Sequence, residues 1–189
     1  MQRSGYLRRR DLQGCRRLLF LCLLLVGSQA HLSWADAPGQ VTTALIVRGS
    51  VEHELTLSAD DLKRFPVQRV DDVRTGSPGA VAGSEVMRRY AGCLLRDVLD
   101  RAGPVESHRF DMRRSIVIAT ASDGYRAVFS WAELYLSPVG EGVLIVYERD
   151  GAPLSDDEGR IALLSLKDSR PGPRHVKWLR AIELRTLAD

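Results

Sequence analysis

Few side chains in this chain fall into patterns that do chemistry, and the densest group is cationic. Arg170-Pro171-Gly172-Pro173-Arg174-His175-Val176-Lys177 sets Arg170, Arg174, His175 and Lys177 on a loop interrupted by Pro-Gly-Pro. Guanidinium groups donate paired hydrogen bonds to phosphate and carboxylate oxygens, so the loop is shaped to hold an anion. A solvated loop whose Lys177 stem packs on Trp178 fits the same residues. Cys93 is a second candidate, either as a reactive thiol or as the small buried hydrophobe that a free cysteine commonly is. Asp123-Gly124-Tyr125 reads as a turn that Asp123 stabilises, while Tyr125 and Trp131 read as core or pocket-wall aromatics. His53, His108 and His175 are far apart, so metal-ligand spacing is absent. There is no Gly-x-Ser-x-Gly elbow and no glycine-rich phosphate loop, which argues against nucleophilic hydrolysis and nucleotide binding.

The elements that must position these residues read as mixed α and β. Val41 to Val51 is β-branched and broken by Gly49-Ser50, which predicts a hairpin. Ser58 caps a short helix with Asp61 at its N-terminal end, and the helix stops before Phe65-Pro66. Residues 66 to 86 lack apolar periodicity and read as an irregular loop. Leu94, Leu95, Val98, Leu99 and Ala102 fall at helical spacing ahead of Gly103-Pro104. Ser115 to Ala121 and Arg126 to Phe129 are strands around the Asp123-Gly124 turn, and Ser130 with Glu133 forms a capping box for another helix. Val143 to Tyr147 is a continuous apolar strand turned by Asp150-Gly151. Ile161 to Leu166, and the stretch holding Ile182 and Leu184, are the last strands. Strands outnumber helices, so the fold class is α+β, in one domain spanning residues 36–189.

The first residues carry another kind of information. Arg3, Arg8, Arg9, Arg10, Arg16 and Arg17 precede the apolar run Leu18 to Val26, which leads into Gly27-Ser28-Gln29-Ala30. That is the order of a secretory signal peptide, with cleavage after Ala30 or, by preference, after Ala35. A run of nine apolar residues falls short of the roughly 20 that span a bilayer. Residues 1–35 hold six Arg and one Asp of the chain's 27 basic and 24 acidic residues, leaving 21 basic and 23 acidic and a net charge of −2. The processed chain is therefore expected in the periplasm or outside the cell, with no membrane span. Its charge gives no support to nucleic-acid binding. Cys15 and Cys22 leave with the signal, so Cys93 stands alone and no internal disulfide is possible.

Four segments in order carry a resemblance: Tyr90-Ala91-Gly92-Cys93-Leu94-Leu95-Arg96-Asp97-Val98-Leu99, Asp123-Gly124-Tyr125, Asp150-Gly151-Ala152-Pro153-Leu154 and His175-Val176-Lys177-Trp178-Leu179-Arg180-Ala181-Ile182. Together they resemble the molybdopterin-binding domain of the sulfite oxidase family over most of residues 42 to 187. The resemblance implies that family's mixed, mostly antiparallel β fold with few short helices. It also implies a molybdenum held by a pterin dithiolene and a protein cysteine thiolate, and two-electron redox chemistry such as oxygen-atom transfer.

The family's ligating cysteine lies upstream of the Tyr-x-Gly segment, and residues 66 to 86 here contain no cysteine. Where the family's His-Gly pair and its following Arg contact the pterin, alignment on Gly159 places Glu158 and Leu163. His175-Val176-Lys177, the segment that contacts the cofactor phosphate in the family, is retained. Two functions follow. The one preferred is a periplasmic binding or sensing module that has lost the metal and takes a small anion or a periplasmic or membrane protein partner. The other is a molybdopterin-dependent oxidoreductase in which Cys93 would be the surrogate thiol.

Overall fold

The computed structural model describes residues 39–75, 85–106, 111–170 and 172–187. The expected signal peptide and cleavage sites, and His108, lie outside the described residues. Strand β1 (Ala44–Gly49) turns into β2 (Leu55–Ser58), so the hairpin's return strand begins four residues beyond the predicted stretch. Helix α1 (Ala59–Leu62) follows at once. The Ser58 hydroxyl accepts from Asp61 N at 3.2 Å, the cap that was expected, and Asp61 Oδ2 accepts from Ser58 N at 3.0 Å, which makes the cap reciprocal.

The expected irregular loop over 66 to 86 is corrected in its described part by β3 (Gln68–Thr75), which pairs in antiparallel register with β4 (Glu85–Leu94); residues 76–84 lie outside the described residues. The ribbon lacks an apolar alternation because polar cross-strand contacts help to hold it: Arg89 Nε donates to Asp71 Oδ1 at 3.2 Å across the register pair Asp71 and Arg89. Helix α2 (Leu95–Ala102) buries Leu95, Val98, Leu99 and Ala102 and ends on Gly103 at φ +70°. The Tyr90-Ala91-Gly92-Cys93 motif thus lies on β4 ahead of the helix.

Strands β5 (Ser115–Ala121) and β6 (Arg126–Ser130) flank the Asp123-Gly124 turn, and helix α3 (Trp131–Tyr135) starts from the capping box of Ser130 and Glu133. Strand β7 (Val143–Arg149) turns through Asp150 and Gly151, both at positive φ, into the short β8 (Ala152–Pro153). Strands β9 (Ala162–Ser165) and β10 (Leu179–Thr186) complete the order.

Two sheets result. The first runs β2-β1-β10-β5-β6, with β1 and β10 parallel and its other pairs antiparallel. The second runs β3-β4-β7-β8, with β9 also paired to β7. Leu45, Val47, Val117, Phe129, Ile182 and Leu184 of the first sheet share a core with Cys93, Ile145 and Leu163 of the second and with helix α2. Tyr90, Leu144, Val146 and Leu164 form a smaller core with Leu154. Strand β7 alternates between the two cores, which is why its sequence reads as an unbroken apolar run. The α+β class and the mixed, mostly antiparallel arrangement follow the expectation.

Candidate functional site

The cationic loop of residues 170 to 178 is fixed by its neighbours. Val176 and Leu163 exchange both backbone hydrogen bonds at 2.9 Å, so the loop continues the ladder beyond β9. Tyr125, presented by the turn that Asp123 closes through Tyr125 N at 2.8 Å, donates its hydroxyl to the carbonyl of Pro173. Asp123 and Tyr125 thereby act together: one shapes the turn and the other fastens the loop at Pro173. Arg174 is turned into the protein. Its Nε donates to Asp168 Oδ2 at 2.8 Å, its Nη2 to Asp168 Oδ1, and its Nη1 to Glu133 Oε1 at 3.0 Å, with the guanidinium 4.3 Å from the Phe129 ring centroid. The hydrogen bond from Arg174 holds the Asp168 carboxyl below its ordinary range, against the effect of burial.

The remaining cations are arranged differently. Arg170 is exposed and His175 is half-buried, its backbone N donating to Gly172 O at 2.8 Å. Lys177 Nζ lies 5.8 Å from the Trp178 ring centroid, the packing that the sequence allowed as the alternative to an anion contact. Trp131 stacks on Tyr135 with ring centroids 3.8 Å apart, and Tyr135 donates to Asp100 Oδ1 at 2.7 Å on helix α2. Tyr135 therefore joins α3 to α2, with Trp131 stacked against it. His53 sits at the β1–β2 turn, its backbone N bonded to Ala102 O at 2.9 Å. Among the described residues no cluster of His, Cys, Asp and Glu could hold a metal ion.

Beside the loop lies a strained knot that sequence reasoning missed. Trp178 has φ +47°, a left-handed backbone that a bulky side chain rarely adopts. Trp178 N donates to Glu158 O at 2.9 Å, Trp178 O accepts from Ser122 N at 3.0 Å, and the indole Nε1 donates to Asp156 O at 2.8 Å. Gly159, at φ +87°, makes room for it: a Cβ there would lie 2.4 Å from Trp178 Cδ1. Strain of this kind persists only where the surroundings over-determine it, and it gathers at functional sites. The one sequence signal available was Gly159, the residue on which the alignment with the family's His-Gly pair rests.

Glu158 is the second feature. It is 1% exposed, and its Oε1 accepts from Arg149 Nη1 at 2.5 Å with Arg88 Nη1 at 3.9 Å. Burial works against the charge of Arg149, and Glu158, Tyr90 and Asp157 together more than offset it. Leu163 is fully buried in the main core.

These side chains can be set against the molybdenum–pterin group that the resemblance implies. A metal thiolate needs an accessible sulfur in its ionised form. Cys93 is fully buried on β4 opposite Ile145, and burial, reinforced by the charge of Asp97, pushes its thiol up to about 12. No other cysteine follows Cys22 in the sequence. Where an anionic pterin edge would need donors, Glu158 presents a buried carboxylate and Leu163 a hydrocarbon, and Arg174 already spends its donors on Asp168 and Glu133. The residues present do not fit the group as a thiolate-ligated cofactor.

The oxidoreductase molybdopterin binding domain model matches residues 35–188. The solved structure of the sulfane dehydrogenase SoxCD from Paracoccus pantotrophus is similar with a TM-score of 0.57 and 19% sequence identity, over 76% of this chain and 38% of that chain. This chain therefore spans well under two thirds of the length of that protein, and the likeness is one of fold. No curated protein matches the chain. With its two-sheet fold and the match over residues 35–188, the chain belongs to the oxidoreductase molybdopterin binding domain family.

Proposed function

We propose that this chain is a family member that has given up the metal cofactor, is exported through its N-terminal signal, and works in the periplasm as a binding module. The observation that carries the reading is Cys93: the one thiol beyond the expected signal is fully buried and pushed up to about 12, so it offers no thiolate to a metal. The buried carboxylate of Glu158, taken up by Arg149, supports the same conclusion, because it offers an acceptor and no donor where an anionic pterin edge would need one. The binding surface is the loop bearing Arg170, His175 and Lys177 together with strained Trp178 and the turn of Asp123 and Tyr125. Its ligand is a small anion or a periplasmic or membrane protein partner. Arg174 supports the surface from beneath, holding the loop's shape through Asp168.

The test is elemental analysis for molybdenum, with fluorescence detection of oxidised pterin, on protein exported with its own leader by a cell that makes the cofactor. Absence of both, with an N-terminus at Asp36, is expected. Near-stoichiometric molybdenum would overturn the proposal in favour of a molybdopterin-dependent oxidoreductase, and Cys93 would be the first residue to substitute.

A further inference from the structure

On the first sheet, alternation sends Leu45, Val47, Val117, Ala119, Phe129, Ile182 and Leu184 into the core and the intervening residues to the other face. That face is unusual in what it carries. Arg48, Arg126, Arg180 and Arg185 surround a hollow of about 280 Å³ floored by Ile46, Ile118 and Ala181, with Glu183 its one acidic residue. Four guanidiniums against one carboxylate leave a local charge of +3, on a chain whose net charge beyond residue 35 is −2.

The four arginines are not equivalent. Glu183 takes Arg48 at 3.3 Å and Arg185 at 2.5 Å. Arg126 and Arg180 have no carboxylate partner among the described residues. The register explains how they come together. Ala181, Thr120 and Arg126 lie in one row across β10, β5 and β6, and the pairing of β10 with β5 slips between Leu179 and Ala181, so Arg180 is the bulged residue. A bulge re-aims a side chain, and here it brings Arg180 to the hollow that Arg126 borders from two strands away, about 10 Å at the backbone. Thr120 lines the hollow between them.

We propose that this hollow binds a small, doubly charged oxygen anion, held between the guanidiniums of Arg126 and Arg180 above Thr120. Guanidinium forks suit carboxylate, sulfate and phosphate oxygens alike. The size of the hollow, just below the roughly 300–1,000 Å³ that holds drug-sized ligands, selects a small molecule over a folded segment. Glu183 gives the site its shape. By pairing with Arg48 and Arg185 it occupies their donors and leaves those of Arg126 and Arg180 for the ligand. The site is separate from the cationic loop, and its test uses none of that loop's residues.

Sodium sulfate and disodium succinate are titrated into the full chain at constant ionic strength, with sodium chloride as reference, and backbone amide shifts are followed by NMR. Saturable shifts at Thr120, Arg126, Arg180 and Ala181 with sulfate, succinate or both support the site, and their relative affinity tells an inorganic from a dicarboxylate ligand. Replacing both arginines (R126A/R180A) weakens binding at least about tenfold, since each charge-assisted bond lost is of that order. R126K/R180K keeps the charge and loses the fork, so its affinity lies between. Arg64→Ala, a surface arginine two residues beyond the end of α1, leaves binding unchanged. Both pairs of variants remove exposed side chains, and unchanged circular dichroism confirms their folding. Shifts no larger than those with chloride, shifts that survive R126A/R180A, or binding of a polyglutamate peptide without binding of either dianion would overturn the proposal.

Discussion

Arg174 and Asp168, six residues apart on the same loop, meet in a two-pronged contact, with Nε 2.8 Å from Oδ2 and Nη2 against Oδ1. Both side chains are mostly buried, at 21% and 12% exposed, and the guanidinium is shared with Glu133. Removing the cation leaves two carboxylates facing a void, which costs more than the pair itself contributes. Arg174→Ala is expected to lower stability by about 2–3 kcal/mol in urea unfolding. Asp168→Asn costs about 1 kcal/mol, and the double variant recovers part of the loss from Arg174→Ala because less unpaired charge remains. Strict additivity would sink the idea that the two act as a clamp.

The same pair sets an acid limit. Arg174's hydrogen bond lowers the Asp168 carboxyl from its ordinary 3.8, so the stabilising ion pair is present in full above that value and is lost as pH falls through the lower value of the folded protein. The stability difference between wild type and Asp168→Asn is therefore expected to stay constant from about pH 8 down to about pH 5 and to shrink below about pH 4. A difference that grew on acidification would contradict the sign.

Gly159 is constrained twice, by φ +87° and by the indole of Trp178 at 2.4 Å from where a Cβ would sit. Gly159→Ala is expected to cost about 3 kcal/mol, of which about 1–2 is backbone strain and the rest displacement of the ring. Thermal unfolding measures the total. Recovery of stability on adding Trp178→Ala would assign the second part to the ring.

Local signals in the sequence were legible and long-range ones were not. The cap of Ser58, the capping box of Ser130 and Glu133, the stop at Gly103 and the Asp150-Gly151 turn each involve residues within three positions, and all are present. The ribbon of β3 and β4 was hidden because Asp71 and Arg89 hold it from 18 residues apart, in a stretch with no apolar rhythm. At the candidate site, the cationic residues could be found by composition, but their states could not. Arg174 is neutralised by Glu133, 41 residues distant, and Glu158 is buried only because β7 supplies Arg149. Trp178 gave no warning, since a bulky residue argues against the backbone it adopts.

Cys93 should behave as a packing residue. With its thiol pushed up to about 12, only about one molecule in ten thousand is thiolate at about pH 8, and the sulfur has no exposed surface. In the full chain carrying Cys15→Ser and Cys22→Ser, thiol reagents are expected to label Cys93 only after denaturant is added, on the time course of unfolding. Labelling of the native protein within minutes would mean that β4 opens, and would reopen Cys93 as a ligand.

Glu133 serves two structures at once, and the two can be separated by substitution. Its Oε2 accepts from Ser130 N at 2.7 Å and closes the capping box of α3, while its Oε1 accepts from Arg174 at 3.0 Å. Ser130→Ala removes one side of the cap and is expected to cost about 1 kcal/mol. Glu133→Gln keeps a weaker cap acceptor but loses charge at Arg174, and Glu133→Ala loses both, so the expected order of destabilisation is Ala above Gln at position 133, with Glu133→Ala also above Ser130→Ala. Combining Ser130→Ala with Arg174→Ala should then be close to additive, because the two touch different oxygens of one carboxylate. Strong coupling between them would show that the loop and α3 form a single cooperative unit, with the cap positioned by the arginine.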